Sequence, residues 1–296
     1  MVARLQQCFV LALLLAAIAW TSAWWQHSPF VAVAGLVVLG LGHAAFLALE
    51  LMASYHVSGR DPLGRATAAQ CVRAWLAESR TALQVFCWQQ PFRSRAVPDH
   101  LPGGSRRRGV VLVHGFLCNR GFWNPWLREL RARDHAFVAV NLEPVFGSIE
   151  HYGQSIDEAI LRVTAATGRP PVLICHSMGG LAARAWLRGA DATRVHRIVT
   201  IGTPHRGTWL ARFGRTANGR QMRMGGEWLQ RIDGERTSVQ QVPFSCWYSN
   251  SDNIVFPTSV ATLPGADNRL AAGRGHVELA FDAPVRREVL ALLDAT

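Results

Sequence analysis

The run Val172-Leu173-Ile174-Cys175-His176-Ser177-Met178-Gly179-Gly180 constrains this chain more than any other stretch. Its apolar, partly β-branched start predicts a strand. Two glycines after the serine allow a sharp turn, and Leu181 to Leu187 carries a helical pattern. A strand that turns at once into a helix belongs to a sheet covered by helices. Ser177 stands at the apex, where its hydroxyl is raised clear of the sheet and a base can reach it. This is the arrangement called a nucleophile elbow, usually written Gly-x-Ser-x-Gly. Here Cys175 stands where the first glycine is usual.

The same rhythm runs through the C-terminal two thirds of the 296 residues. Strands are expected at Val110–Val113, Phe137–Asn141, Val172–Cys175, Ile198–Ile201 and Phe244–Tyr248. Helical patterns fall at Phe122–Arg133, Ile156–Thr167, Leu181–Arg188 and Val285–Leu293. Apolar strands alternating with amphipathic helices predict an α/β fold, a mostly parallel sheet with helices on both faces.

The N-terminal part reads differently. Cys8 to Trp25 and Phe30 to Leu49 are apolar runs without a charge, joined by Gln26-His27-Ser28-Pro29. Each approaches the ~20 residues a helix needs to cross a bilayer, so two transmembrane helices are expected as a hairpin. Trp20, Trp24 and Trp25 suit an interfacial aromatic belt, and Arg4, Arg60, Arg65 and Arg73 flank the pair. Positive charge on that side predicts a bacterial inner-membrane protein with two spans and a cytoplasmic C-terminal part. Two alternatives are a signal peptide cleaved near Thr21-Ser22-Ala23, and a pair of buried core helices. The organisation is then a hairpin over 1–56, an amphipathic connecting segment over 57–105 and a catalytic domain over 106–296. A Pro/Gly/Arg-rich turn, Leu101 to Arg108, separates the last two.

The net charge is +11, and all 31 basic residues are arginine. Complete absence of lysine points to codon bias, which weakens any functional reading of single arginines. A basic surface favours anionic partners such as lipid headgroups. No zinc spacing, RNA-binding signature or basic helical repeat supports a nucleic-acid partner. The six cysteines show no framework spacing, and free thiols in a reducing compartment are the simplest account.

A serine hydroxyl becomes a useful nucleophile only when a base takes its proton, and a carboxylate usually orients that base. In a parallel sheet these groups belong on loops beyond later strands. Asp252 lies just past the Phe244–Tyr248 strand, and His276 lies in the glycine-rich loop Gly273-Arg274-Gly275-His276 before the last helix. An oxyanion needs backbone donors. The strand Val110–Val113 ends in His114-Gly115-Phe116, so the N–H of Phe116, with that of Met178, would supply them. His114 is expected to hold this loop rather than transfer protons.

Three stretches then resemble the bacterial lipase and esterase branch of the α/β-hydrolase superfamily: His114-Gly115-Phe116, His176-Ser177-Met178-Gly179-Gly180, and Ile201-Gly202-Thr203-Pro204-His205-Arg206-Gly207-Thr208. The order Ser177, Asp252, His276 is the order these enzymes use. The resemblance spans Val110 to the C-terminus and implies the α/β-hydrolase fold with Ser177, Asp252 and His276 as a catalytic triad. It implies a cap or lid in the insertion 207–241, where apolar residues (Trp209, Leu210, Phe213, Met222, Met224, Trp228, Leu229) mix with arginines, and His205 reads as a structural residue shaping the rim of an acyl pocket, not as a second base. Some relatives hold a structural calcium, but no convincing pair of ligand carboxylates is present, so no cofactor or metal is expected. The expected activity is hydrolysis of a lipid-like or other hydrophobic ester. The same machinery would serve acyl transfer, or thioester or amide cleavage, and a silent hydrolase fold used as a membrane scaffold is the rival from outside enzymology.

Overall fold

The computed structural model describes residues 1–104, 107–234 and 242–294. The middle of the turn expected over 101–108 and the end of the insertion (235–241) lie outside the described residues. Six parallel strands form one sheet in the order β2-β1-β3-β4-β5-β6. They are β1 (Val110–Val113), β2 (Phe137–Ala139), β3 (Val172–His176), β4 (Arg197–Ile201), β5 (Phe244–Tyr248) and β6 (Asp267–Leu270). Side chains alternate across a strand, and the two faces read out of the sequence directly. Val111, Val113, Leu173 and Cys175 face one core, shared with the helices Gly153–Thr167 and Met178–Leu187. Val110, Leu112, Val172 and Ile174 face the other, shared with Asn124–Ala132 and Ala283–Asp294. This is the α/β-hydrolase fold the motifs implied.

β6 was not expected. Its sequence, Asp-Asn-Arg-Leu, has no apolar alternation because it is a largely exposed edge strand, held by pairing with β5 rather than by burial. The helix expected from Phe122 begins with a 3-10 turn, Arg120–Trp123, and becomes α-helical at Asn124 beside Pro125, whose ring suits a first helical turn.

Two long helices precede the sheet, α1 (Val2–Trp24) and α2 (Pro29–Val57), the second capped by the Ser28 hydroxyl accepting from Val31 N. Both are long and apolar enough to cross a membrane, and only 6% and 11% of their most apolar windows is buried. Phe9, Leu15, Ile18, Phe30 and Val38 are all more than half exposed, so these are not core helices. Within the hairpin, Trp20 lies against Gly35, where a Cβ would meet its ring at 1.9 Å.

The connecting segment is helical, as its amphipathic pattern over Ala66 to Trp88 predicts. It forms α3 (Ala68–Ala82), opened by a Thr67–Gln70 capping box, and continues as a π-helical stretch, Leu83–Gln89. Ala74 and Glu78 of α3 are buried. In the insertion, Trp228, Leu229 and Ile232 of the helix Glu227–Gly234 pack into the sheet core, whereas Phe213 and Met224 are exposed.

Candidate active site

Ser177 follows β3 with φ +54° and ψ −129°, backbone angles sparsely used by residues with a Cβ. Two hydrogen bonds hold it there. Its N–H donates to Ile201 O at 2.9 Å, and its carbonyl accepts from the Thr203 hydroxyl at 2.9 Å. The glycines that permit the turn lie after it. A Cβ on Gly179 would come within 2.5 Å of Val113 O, and one on Gly180 within 2.2 Å of Thr203 Oγ1. Cys175 sits on β3, fully buried among core side chains, and burial pushes its thiol well up. Close approach therefore requires small residues at 179 and 180, while position 175 accommodates a side chain.

The loop beyond β1 touches the serine. A Cβ on Gly115 would meet Ser177 Cβ at 2.8 Å and Oγ at 3.3 Å. His114 is buried and bonds on both ring nitrogens. Nδ1–H donates to Gly115 O at 2.9 Å, and Nε2 accepts from Leu142 N–H at 3.1 Å. Burial lowers its pKa to about 4, so it stays neutral and holds the loop. Phe116 follows, with its ring edge-on to Phe146. Met178 opens the helix Met178–Leu187, so its N–H has no acceptor within that helix.

Asp252 and His276 are both buried and joined, Nδ1 to Oδ2, at 2.9 Å. Asp252 Oδ1 accepts from Ile254 N and Val255 N, at 2.8 and 2.7 Å, which fixes the carboxylate. Burial pulls the His276 imidazole down. The Asp252 charge and hydrogen bond, then Glu78 and Glu50, outweigh it, so the pKa stands above its ordinary value. A Cβ on Gly202, next to Ile201, would lie 3.3 Å from both Asp252 Oδ2 and His276 Cε1. The pair thus borders the strand end that carries the Ser177 N–H bond. Among the described residues the Ser177 hydroxyl makes no hydrogen bond to the His276 ring, a contact that often tightens only with substrate bound.

His176 links the two halves. Its ring stacks on Phe122 at 4.5 Å and lies 4.7 Å from the His276 ring. Its Nε2–H donates to His276 O at 3.1 Å. Burial, then the nearby His276, holds its pKa well below the ordinary value. Phe122, Trp123 and Trp126 are all buried, and only Phe122 reaches toward the site. His205 is fully buried against Thr200 of β4 and Cys246 of β5, so it braces the sheet as a structural residue.

Sequence reasoning missed the partners that come from the N-terminal helices. Ser54 of α2 donates its hydroxyl to Asp252 O at 2.7 Å, and Asn253 Nδ2 donates to Glu50 Oε2 at 2.7 Å. Glu78 of α3 accepts from Val277 N and Glu278 N, at 2.9 and 2.8 Å. No local pattern announces these contacts, because each spans about 200 residues of chain. All six cysteines are free, and among the described residues no cluster of three or more His, Cys, Asp or Glu side chains could hold a metal ion.

A parallel α/β sheet with a serine on a strained strand-to-helix turn, and an Asp–His pair on loops beyond later strands, defines a hydrolase-fold class. The model of the alpha/beta hydrolase family matches residues 110–289, and the chain belongs to that family. Among solved structures it is similar to the Bacillus licheniformis lipase BlEst2 in mature form, with TM-score 0.59 and 16% identity over 67% of this chain and 96% of that one. The propeptide form of the same lipase gives TM-score 0.56 and 17% identity over 65% and 52%. The Paleococcus ferrophilus monoacylglycerol lipase gives 0.49 and 17% over 65% and 96%. At these identities the likeness to the Bacillus lipase is one of fold. No curated protein matches the sequence.

Proposed function

We propose that this chain is a membrane-anchored serine carboxylester hydrolase that cleaves lipid-like esters through an acyl-enzyme. The observation that carries the proposal is the buried 2.9 Å hydrogen bond between Asp252 and His276, beside a serine held at φ +54°. Ser177 Oγ attacks the ester carbonyl while His276 Nε2 takes its proton and then returns it to the leaving alcohol. Asp252 keeps Nδ1 protonated and stabilises the imidazolium. Water, deprotonated by His276, then attacks the acyl-enzyme and releases the acid. The N–H groups of Phe116 and Met178 stabilise the oxyanion in both steps. No cofactor takes part.

The two exposed apolar helices support the anchor and the substrate class. Both feet of the hairpin stand on loops that flank Ser177. Gln6 of α1 donates to Leu117 O at 3.2 Å on the Gly115 side, and Ser54 of α2 holds Asp252 on the other. The tip at Trp25–Ser28 is then the far end, with Arg4 and Arg60 together at the near one. Such an arrangement suits a catalytic domain seated on the cytoplasmic face.

A fluorophosphonate probe applied to the full chain in detergent should label Ser177, and absence of labelling in folded protein would refute the serine-hydrolase function. Rates on p-nitrophenyl esters of rising chain length should increase with chain length and respond to vesicles. Activity confined to short soluble esters would remove the lipid substrate. A reporter fused after Thr296 that proved active in the periplasm would reverse the orientation.

A further inference from the structure

Glu78 is a buried carboxylate with no part in the mechanism above. It is 1% exposed, and it projects from α3 onto the first turn of the helix His276–Phe281. Its two oxygens take the N–H groups of Val277 and Glu278, donors that a helix start leaves unpaired. Gly275 sits so close that a Cβ there would lie 2.6 Å from Glu78 Oε2. A carboxylate at a helix N-terminus is favoured by the helix dipole, yet here burial pushes the carboxyl up to about 7. Keeping such a group buried costs stability that a neutral cap would not.

The foot of α2 grips the other half of the pair. Asn253 donates to Glu50 and accepts from His276 N–H at 3.0 Å, while Ser54 holds the carbonyl of Asp252. Four titratable groups face the His276 imidazole: Asp252 after β5, Glu50 from α2, Glu78 from α3 and His176 at the end of β3. The three carboxylates favour its charged form, and two of them come from outside the family-matched residues 110–289.

We propose that Glu78, with Glu50 and Ser54, forms a clamp of positioning residues for His276 and Asp252, so that α2 and α3 belong to the catalytic machinery as well as to the anchor. The clamp rests on the serine-hydrolase function proposed above. It acts through geometry, by fixing the two loops that must place Nε2 against Ser177. It also acts through charge, by lining the imidazolium side of the site with carboxylates. Misplacement of a base by about 1 Å can cost a hundredfold in rate, so the effect belongs in kcat rather than in KM.

The test uses the full chain in detergent micelles, with p-nitrophenyl octanoate as substrate and 13C-labelled histidine to follow the His276 ring by NMR, assigned with a His276→Gln control. Glu78→Gln keeps the shape but loses one acceptor and the charge. It should lower kcat about tenfold to a hundredfold with KM within about twofold. The His276 titration midpoint and the acid limb of the kcat/KM profile should both move to lower pH, because a carboxylate that favours the imidazolium has gone. A cap of purely structural value would change stability alone. Normal kcat and an unmoved midpoint in folded Glu78→Gln would overturn the clamp. Should that variant fail to fold, Glu50→Gln and Ser54→Ala take its place: Glu50→Gln should lower the midpoint, Ser54→Ala should lower kcat, and wild-type behaviour in both would overturn it equally. Failure of the wild-type chain to react with fluorophosphonate counts against the function, whereas normal labelling with no response in these variants counts against the clamp.

Discussion

The Ser177 side and the Asp252–His276 side of the candidate site are built in opposite ways. Ser177 rests on neighbours specified by short motifs, namely Gly179 and Gly180 on its own turn and Gly115 on the adjoining strand end, each close to a backbone or side chain that excludes a Cβ. Asp252 and His276 rest on Glu50, Ser54 and Glu78, polar side chains of helices that lie outside the family-matched residues. Close backbone approach can be written as glycine in a local motif. A buried hydrogen-bond network needs partners from anywhere in the chain, and here they come from the segment that also holds the hairpin.

The sharpest break in this comparison is Ser177→Ala. Ester hydrolysis should fall about ten-thousand-fold or more while the fold survives, measured by initial rates and far-UV circular dichroism. Retained activity would mean that the glycine-built side holds no nucleophile. Gly115→Ala comes next. Its added methyl meets Ser177 Cβ and shifts the loop that carries the Phe116 N–H, so kcat should drop about a hundredfold to a thousandfold, the cost of one oxyanion donor. An unchanged rate would move the oxyanion donors elsewhere.

Acid and base should separate the two halves by stability. On the serine side His114 is buried and neutral, with a folded pKa of about 4 against an ordinary 6.5. Its contribution is present above pH 6.5 and is lost as pH falls toward 4, since only the unfolded chain takes up the proton. On the Asp252–His276 side Glu78 has the reverse sign. With its folded pKa raised from 4.5 to about 7, its contribution is full below pH 4.5 and fades as pH rises through 7. Urea unfolding across pH 4 to 8 should therefore show His114→Gln with a shallower loss on acidification and Glu78→Gln with a shallower loss on the alkaline side. Identical slopes in wild type and variants would remove the contrast.

The smallest effect belongs to Cys175→Gly. The cysteine is a packed core residue on β3, and the turn is shaped by Gly179 and Gly180, so turnover should stay within about threefold while stability falls by about 1–2 kcal/mol for the cavity left behind. A large loss of rate would show that the side chain at 175 tunes the elbow after all.

Much of the sheet was legible because buried parallel strands advertise themselves as apolar runs. β1, β3, β4 and β5 fall within a residue of their expected bounds. β6 escaped because an exposed edge strand carries no such pattern. Ser177, Asp252 and His276 were singled out from their places relative to strand ends, and the last two lie in hydrogen-bond contact at 2.9 Å. His176 and Glu78 were not found. A histidine beside a serine and a glutamate in an amphipathic helix are ordinary residues until the fold brings a ring or a helix start against them.

The sequence alone determined the alternation of strands and helices, the turn that carries Ser177 and the two apolar helices, because all three are written in local periodicity and in glycine. Tertiary structure decided what surrounds the imidazole. Pairing of β5 with β4, the docking of α3 under His276 and the foot of α2 on Asp252 depend on contacts between segments up to about 200 residues apart, and no local pattern encodes which buried donor will meet which buried acceptor.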